Sequence, residues 1–210
     1  MAIKMTFVTF YIFNLNLENS SVTMEKQKCG WCLGDPLYEA YHDEEWGVPV
    51  YDDAIIFEFL ILETFQAGLS WITVLRKREN FRKAFDNFDY KKIASYKQNK
   101  INSLLQDGGI IRNKLKINAT VANAQAFMKV QEEFGSFSKY IWGFVDGTPI
   151  KNKLENYKYA APTNTISDAL SKDLKKRGFK FVGSTVVYAH MQATGMVNNH
   201  EVSCFRYNEG

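Results

Sequence analysis

Cys29 and Cys32 stand three apart in KCGWC, a spacing that suits half a zinc site or a thiol–disulfide redox pair. Either reading needs company. A closed zinc site takes two further ligands, and a redox pair sits where a strand meets a helix in a βαβ pattern. The chain has only three histidines and three cysteines. His42 follows Cys29 by thirteen positions, and HEVSC sets His200 four before Cys204, so a helical turn would aim those two side chains the same way. Cys29, His42, His200 and Cys204 make a Cys₂His₂ set, the chemistry of a structural zinc site with no open position for an activated water. The competing reading is isolated histidines and buried thiols, and spacing alone does not choose between them. His190, in apolar VVYAHMQ, reads as a core histidine.

A second candidate is a carboxylate. Glu63 follows Ile56 by seven and Leu60 by three, so it projects from the apolar face of a helix. A buried, unpaired carboxylate is costly and needs explaining. Either the helix face slips and Glu63 meets solvent, or the carboxylate floors a pocket. Tyr38, Tyr41 and Trp71, with Trp31 and Trp46, lie on either side of it in sequence. Aromatic residues in helical proteins are usually core. Concentrated around an acid, they are also what a slot for one flat heterocycle requires.

The elements that must position these residues are helical. Asp52 and Asp53 open a helix through IIFEFLILETFQAG, with Gly68 as its stop. Ser70 is expected to cap one helix through WITVLRKRENFRKAF, with Arg76, Lys77, Arg78, Arg82 and Lys83 facing outward. DYKKIASY and KINSLLQ fit two short helices. NKLKINATVANAQAFMKVQEEF fits a long one ended by Gly135. A polar loop from Asp146 to Thr165 follows SFSKYIWGFV. Ser167 is expected to cap DALSKDLKKRG, and Gly183 and Gly195 bound the last helix. No strand alternation appears, which removes most support for a thioredoxin-like use of CGWC.

The bulk numbers fit a globular protein: 210 residues, 46% hydrophobic and 23% charged, with four prolines. Three cysteines make a poor disulfide framework and point to a reducing compartment. The net charge of +3 hides a polarity. Residues 25–75 hold ten acidic side chains against two basic, and residues 76–116 hold twelve basic against four acidic. Such a basic run is either a solvated helix face or a polyanion-facing surface. Residues 1–24 look foreign to the rest, and their apolar run in MAIKMTFVTFYIF is too short to span a bilayer. They are expected to be a disordered or spurious extension, with 25–210 as one helical domain.

CGW, DPLYEAYHDEEWGVP, LETFQAGLSWITVLRKRENFRKAF, DGGIIRNKLKI and SDALSKDLKKRGFKFVGSTVVYAHMQATGMVNNH, in this order and spacing, resemble the DNA-3-methyladenine glycosylase I family over residues 28–204. The resemblance implies a mainly α fold of the helix-hairpin-helix glycosylase superfamily, with a structural Zn2+ joining the N- and C-terminal segments. Its ligands would be Cys29, His42, His200 and Cys204, leaving Cys32 a bystander. It implies a bacterial, cytoplasmic base-excision repair enzyme acting on double-stranded DNA containing alkylated bases. The expected protein is a monomer with no membrane association.

The resemblance also assigns roles. Glu63 would recognise the base, Trp71 would stack on it, and Tyr38, Tyr41 and Trp31 would shape the slot. An alkylated adenine flipped from the duplex carries positive charge that aromatic faces and a carboxylate attract. The family pattern lacks the catalytic Asp of the wider superfamily, and no Schiff-base lysine is in place, so a monofunctional hydrolase is expected. INSLLQDGGIIRNKLKI reads as helix, hairpin, helix, but it carries Gly109-Ile110-Ile111 where the common motif has Gly-apolar-Gly. Backbone N–H groups at Gly109 and Ile110, with Arg112, Lys114 and Lys116, would hold phosphates without reading sequence. The rival is a catalytically silent, zinc-stabilised helical DNA-binding module, which needs no acid inside an aromatic slot.

Overall fold

The computed structural model describes residues 26–209. The expected extension at residues 1–24 lies outside the described residues. Ten α-helices and one short strand pair make up the regular structure among them.

Asp35 caps the first helix, α1 (Pro36–Glu44), by accepting from the Leu37 and Tyr38 N–H groups, and Pro36 sits at its first turn. Asp52 caps α2 (Asp53–Gln66) in the same way. Nine of the fourteen residues of α2 are buried, so the helix is surrounded on nearly all sides. It packs against α3 (Trp71–Leu75), α7 (Lys114–Phe134), α8 (Phe137–Trp142) and α10 (Ser184–Ala193). Glu63 therefore rests on a helix held from several sides by the core.

The stretch after Ser70 is not one helix. It divides into α3 and α4 (Arg78–Ala84), broken at Arg76–Lys77, and Ser70 makes no cap bond; its hydroxyl meets the Thr73 hydroxyl at 2.7 Å. The break turns Arg78 inward, where it bonds Glu58 and Glu45 and lies over the Phe59 ring. The outward assignment of Arg78 is thus corrected. Its guanidinium is buried because two carboxylates and an aromatic face replace its water.

The helices α5 (Tyr90–Ala94), α6 (Gln98–Gln106) and α7 follow the expected pattern, with Asn113 capping α7 and left-handed Gly135 ending it. The helix α9 (Thr165–Lys176) begins earlier than expected. Its cap is Asn164, and Ser167 completes a reciprocal capping box at the third helical position. Within the segment expected as a loop, β1 (Ile150–Lys151) runs parallel to β2 (Val197–Asn198), and a bridge pairs Leu154 with Glu201. This pairing lays the chain after residue 150 beside the segment that carries His200 and Cys204.

Candidate active site and metal centre

Cys29, His42, His200 and Cys204 converge, all buried, with their ligand atoms within 4.8 Å of one another. The Cys204 Sγ lies 3.4 Å from His42 Nε2 and 3.6 Å from His200 Nδ1, and the Cys29 Sγ lies 3.5 Å from His200 Nδ1. His200 and Cys204 meet through a turn and not the expected α-helical spacing; the Cys204 N–H donates to the Glu201 carbonyl. Each imidazole turns one nitrogen to the cluster and occupies the other elsewhere. His42 Nδ1 contacts Asp43 at 2.8 Å, and His200 Nε2 contacts the Trp46 carbonyl at 3.2 Å. A carbonyl can only accept, so His200 Nε2 carries the proton and Nδ1 keeps its lone pair for the cluster. Lys28 in turn holds Asp43 at 2.8 Å.

The sulfurs are set for a cation as well. The closeness of the two sulfurs pushes the Cys29 thiol up and the Cys204 thiol down. Two soft sulfurs and two oriented imidazoles fit a tetrahedral N/S-ligated ion. Gly47 makes room for this packing. Its φ is +80° and an added Cβ would sit 2.8 Å from His200 Nε2. Cys32 is outside the cluster. Its thiol donates to the Cys29 carbonyl at 3.1 Å, and burial pushes its pKa up to about 11, which leaves no redox-active thiolate. His190 is buried against the Ile56 carbonyl, and burial pushes its pKa down to about 4, so it stays neutral.

Beside the cluster lies a cavity of about 230 Å³. The helix α1 supplies Tyr38 and Tyr41 to it, three apart on one face, and α2 supplies Glu63 and Gln66 by the same spacing. Trp71, at the start of α3, packs on Tyr41 with ring centroids 5.3 Å apart. Trp31 and Trp46 form another wall, 4.9 Å apart and edge to face. Both also touch the Cys₂His₂ cluster, Trp31 against His42 and Trp46 against His200. The cluster and the cavity thus share a wall.

Two atoms define the cavity's chemistry. Glu63 Oε2 and Trp71 Nε1 are buried and have no hydrogen-bond partner. Glu63 is 3% exposed, and burial alone raises its pKa to about 8. Leaving such groups unpaired costs about 1–3 kcal/mol each, an outlay with no structural return. It fits a site awaiting a planar polar guest. Burial likewise raises the Tyr41 phenol, with Glu63 adding to the effect.

The expected phosphate cradle differs. The Gly109 N–H donates to the Asp107 carboxylate at 2.7 Å and the Ile110 N–H to the Asp107 carbonyl, and Ile110 is buried. Asn113 takes the Leu115 and Lys116 amides. These donors are therefore already spent inside the hairpin. Lys116 is corrected too: its ammonium is buried and donates to the Phe65 and Ala67 carbonyls, closing the C-terminus of α2. Arg112 and Lys114 remain exposed.

Sequence reasoning missed several lining residues. Gln66 shares a helix face with Glu63, a spacing that could have found it. Tyr157, Leu154 and Ala160 come from the segment after β1, and Gln192 and Asn199 from α10 and the stretch after β2. No local pattern marks these, because the packing of α10 on α2 and the long-range parallel pairing bring them in.

Fold and site together define a helical enzyme with an aromatic-lined slot for a single flat heterocycle, set beside a Cys₂His₂ cluster. Residues 31–207 match the methyladenine glycosylase family, and the chain belongs to it. It is 48% identical over 181 residues to DNA-3-methyladenine glycosylase 1 of Escherichia coli (strain K12), covering 86% of this chain and 97% of that one. A crystal structure of a 3-methyladenine DNA glycosylase I superposes with a TM-score of 0.83 at 49% identity, over 85% of this chain and 98% of that one. A tyrosine-to-phenylalanine variant of a 3-methyladenine DNA glycosylase I, solved in complex with 3-methyladenine, gives 0.82 at 36% identity, over 85% and 96%.

Proposed function

We propose that this chain is a monofunctional DNA repair glycosylase that takes N3-methyladenine from alkylated double-stranded DNA and leaves an abasic site. The observation that carries it is the pairing of Glu63 Oε2 and Trp71 Nε1, both buried and unpartnered, in one aromatic cavity. The relatives named for this activity, and the one solved with 3-methyladenine, support the choice of base.

A recessed slot of about 230 Å³ cannot admit a base still stacked in a duplex, so the nucleotide is flipped into it. The methylated adenine is cationic. Glu63 accepts from the base's exocyclic amino edge, and charge on the base favours the carboxylate over the protonated form that the empty site stabilises. Trp71 stacks on the base, and Tyr38, Tyr41 and Trp31 fix its plane. The bond from N9 to the sugar C1′ then breaks, and its electron pair neutralises the departing base. Water adds to C1′ and loses a proton. The leaving group is already activated, so the protein's work is to bind, orient and desolvate.

The Cys29, His42, His200 and Cys204 set would hold a structural zinc ion, which supplies a cross-link and no reacting ligand position. The α6–α7 hairpin would serve as the helix-hairpin-helix element, with Arg112 and Lys114 as backbone contacts. The cell compartment is a reducing one, such as a bacterial cytoplasm, and the active form is a monomer. No helix among the described residues is long and apolar enough to cross a membrane.

The test is release of free base from methylated duplex DNA by wild type and Glu63→Gln. Wild type should release 3-methyladenine, and the variant should be slower by roughly 100-fold with metal content and fold unchanged. Wild type that binds DNA and releases no base would return the protein to the silent binding module.

A further inference from the structure

Glu201 bonds both a residue that lines the slot and a residue of the Cys₂His₂ cluster, and no role yet explains it. It is nearly buried, at 7% exposure, and every polar group it has is engaged. Its Oε1 accepts from the Tyr157 N–H at 2.8 Å and its Oε2 from the Gly30 N–H at 3.3 Å. Its own N–H donates to the Cys29 Sγ at 3.3 Å. One side chain therefore spans the turn that begins with Cys29 and the segment that carries Leu154, Tyr157 and Ala160 to the slot.

That segment has little else to hold it. After the β1 pairing, the Val202 N–H donates to the Leu154 carbonyl at 2.9 Å, and Asn156 caps a single 3₁₀ turn over Tyr157–Tyr159. The Tyr157 ring is half-buried and lies on the Gly30 backbone, where an added Cβ would meet ring carbons at 3.0 and 3.4 Å. Tyr157 also lines the slot, opposite in sequence to the α1–α3 residues that form its floor. A buried carboxylate taking two backbone N–H groups makes strong, directional bonds, and it fixes where the aromatic wall stands.

We infer that Glu201 is a positioning residue: its carboxylate holds the Tyr157 turn against the Cys29–Gly30 turn, so that Tyr157 forms the outer wall of the base slot. This rests on the slot being the base site proposed above. Glu201 touches no substrate and acts through Tyr157.

The experiment combines amide exchange with affinity for free 3-methyladenine, read by tryptophan fluorescence, in wild type, Glu201→Ala, Glu201→Gln, Tyr157→Ala and the double variant Glu201→Ala/Tyr157→Ala. Exchange across residues 153–160 should quicken in Glu201→Ala, and affinity should fall about tenfold, the size of one charge-assisted hydrogen bond. Tyr157→Ala should lose a similar factor, and the double variant should lose no more than either single one. Glu201→Gln keeps the Tyr157 contact and offers the wrong group to Gly30, so it should fall between; it carries the test should the alanine variant not fold. Unchanged exchange, or unchanged affinity despite faster exchange, overturns the inference, as does additive loss in the double variant. Wild type that does not bind the base overturns the reading of the slot instead, and the exchange result still decides whether Glu201 holds the turn.

Discussion

Glu63 shows how a single residue can cost stability and earn chemistry. Its pKa is raised to about 8 in the folded protein from an ordinary value of 4.5. Between those values the native state binds a proton that the unfolded chain has released, so stability falls as pH rises through this window. Below it the group contributes nothing; above it the full cost is present, up to about 5 kcal/mol. Glu63→Gln is neutral at every pH and should melt higher than wild type at pH 8.5 and no higher at pH 4. Equal melting differences at the two pH values would show that Glu63 is solvated in solution. Gly47 is the opposite case, a residue defined by what it lacks. Gly47→Ala would place a left-handed β-carbon against His200, at a cost of about 1–3 kcal/mol, and should lower metal content together with the melting temperature. A variant that keeps full metal content would place the strain elsewhere.

At the scale of elements, two cations close together in sequence do opposite work. Lys116 ends α2 by donating to the Phe65 and Ala67 carbonyls, while Arg112 stands in solvent at the hairpin. Lys116→Met should cost about 2–4 kcal/mol of stability and leave the salt dependence of DNA binding alone. Arg112→Ala should leave the melting temperature near wild type and lower the magnitude of the salt slope by about one. Titrations at several salt concentrations and thermal melts on both variants separate the two roles; a reduced slope for Lys116→Met would place its charge on the DNA side. The pair also marks what the sequence could convey. Capped, amphipathic helices such as α7 were legible because Asn113, Gly135 and the spacing between them are local signals. The Cys₂His₂ set was open on spacing and became specific through the family's motifs. Arg78 and Lys116 were misread because charge suggests solvent, and only tertiary partners reveal that carboxylates or carbonyls have replaced it. The helix α1 was missed although Asp35 and Pro36 mark its start locally. The Tyr157 segment was missed because its order comes from distant packing, Tyr157 being held by a residue 44 positions away.

Over the whole molecule, the Cys₂His₂ cluster closes a loop of nearly the full described chain, joining Cys29 to His200 across 171 positions. Beside the cluster, the Phe205 N–H donates to the Gln27 carbonyl, Lys26 lies over the Phe205 ring, and Glu201 bonds Cys29 and Gly30. An ion held by all four side chains would turn this meeting point into a cross-link. Closing a loop of that length restricts the unfolded chain by about 5 kcal/mol, which for a chain of this size is roughly 10–20 °C in melting temperature. Removing the metal with a strong chelator should therefore lower the melting temperature by that amount. Amide exchange should rise first in residues 26–34 and 198–209, while α2, α7 and α10 keep their protection. Trp31 and Trp46 stand between the cluster and the slot, so base release should fall with the same metal occupancy, although no metal ligand faces the base. Purified protein without bound metal, melting identically with and without chelator, would leave the four residues as a hydrogen-bonded thiol–imidazole cluster. The slot's geometry would then rest on aromatic packing and on the Glu201 bonds to Tyr157 and Gly30.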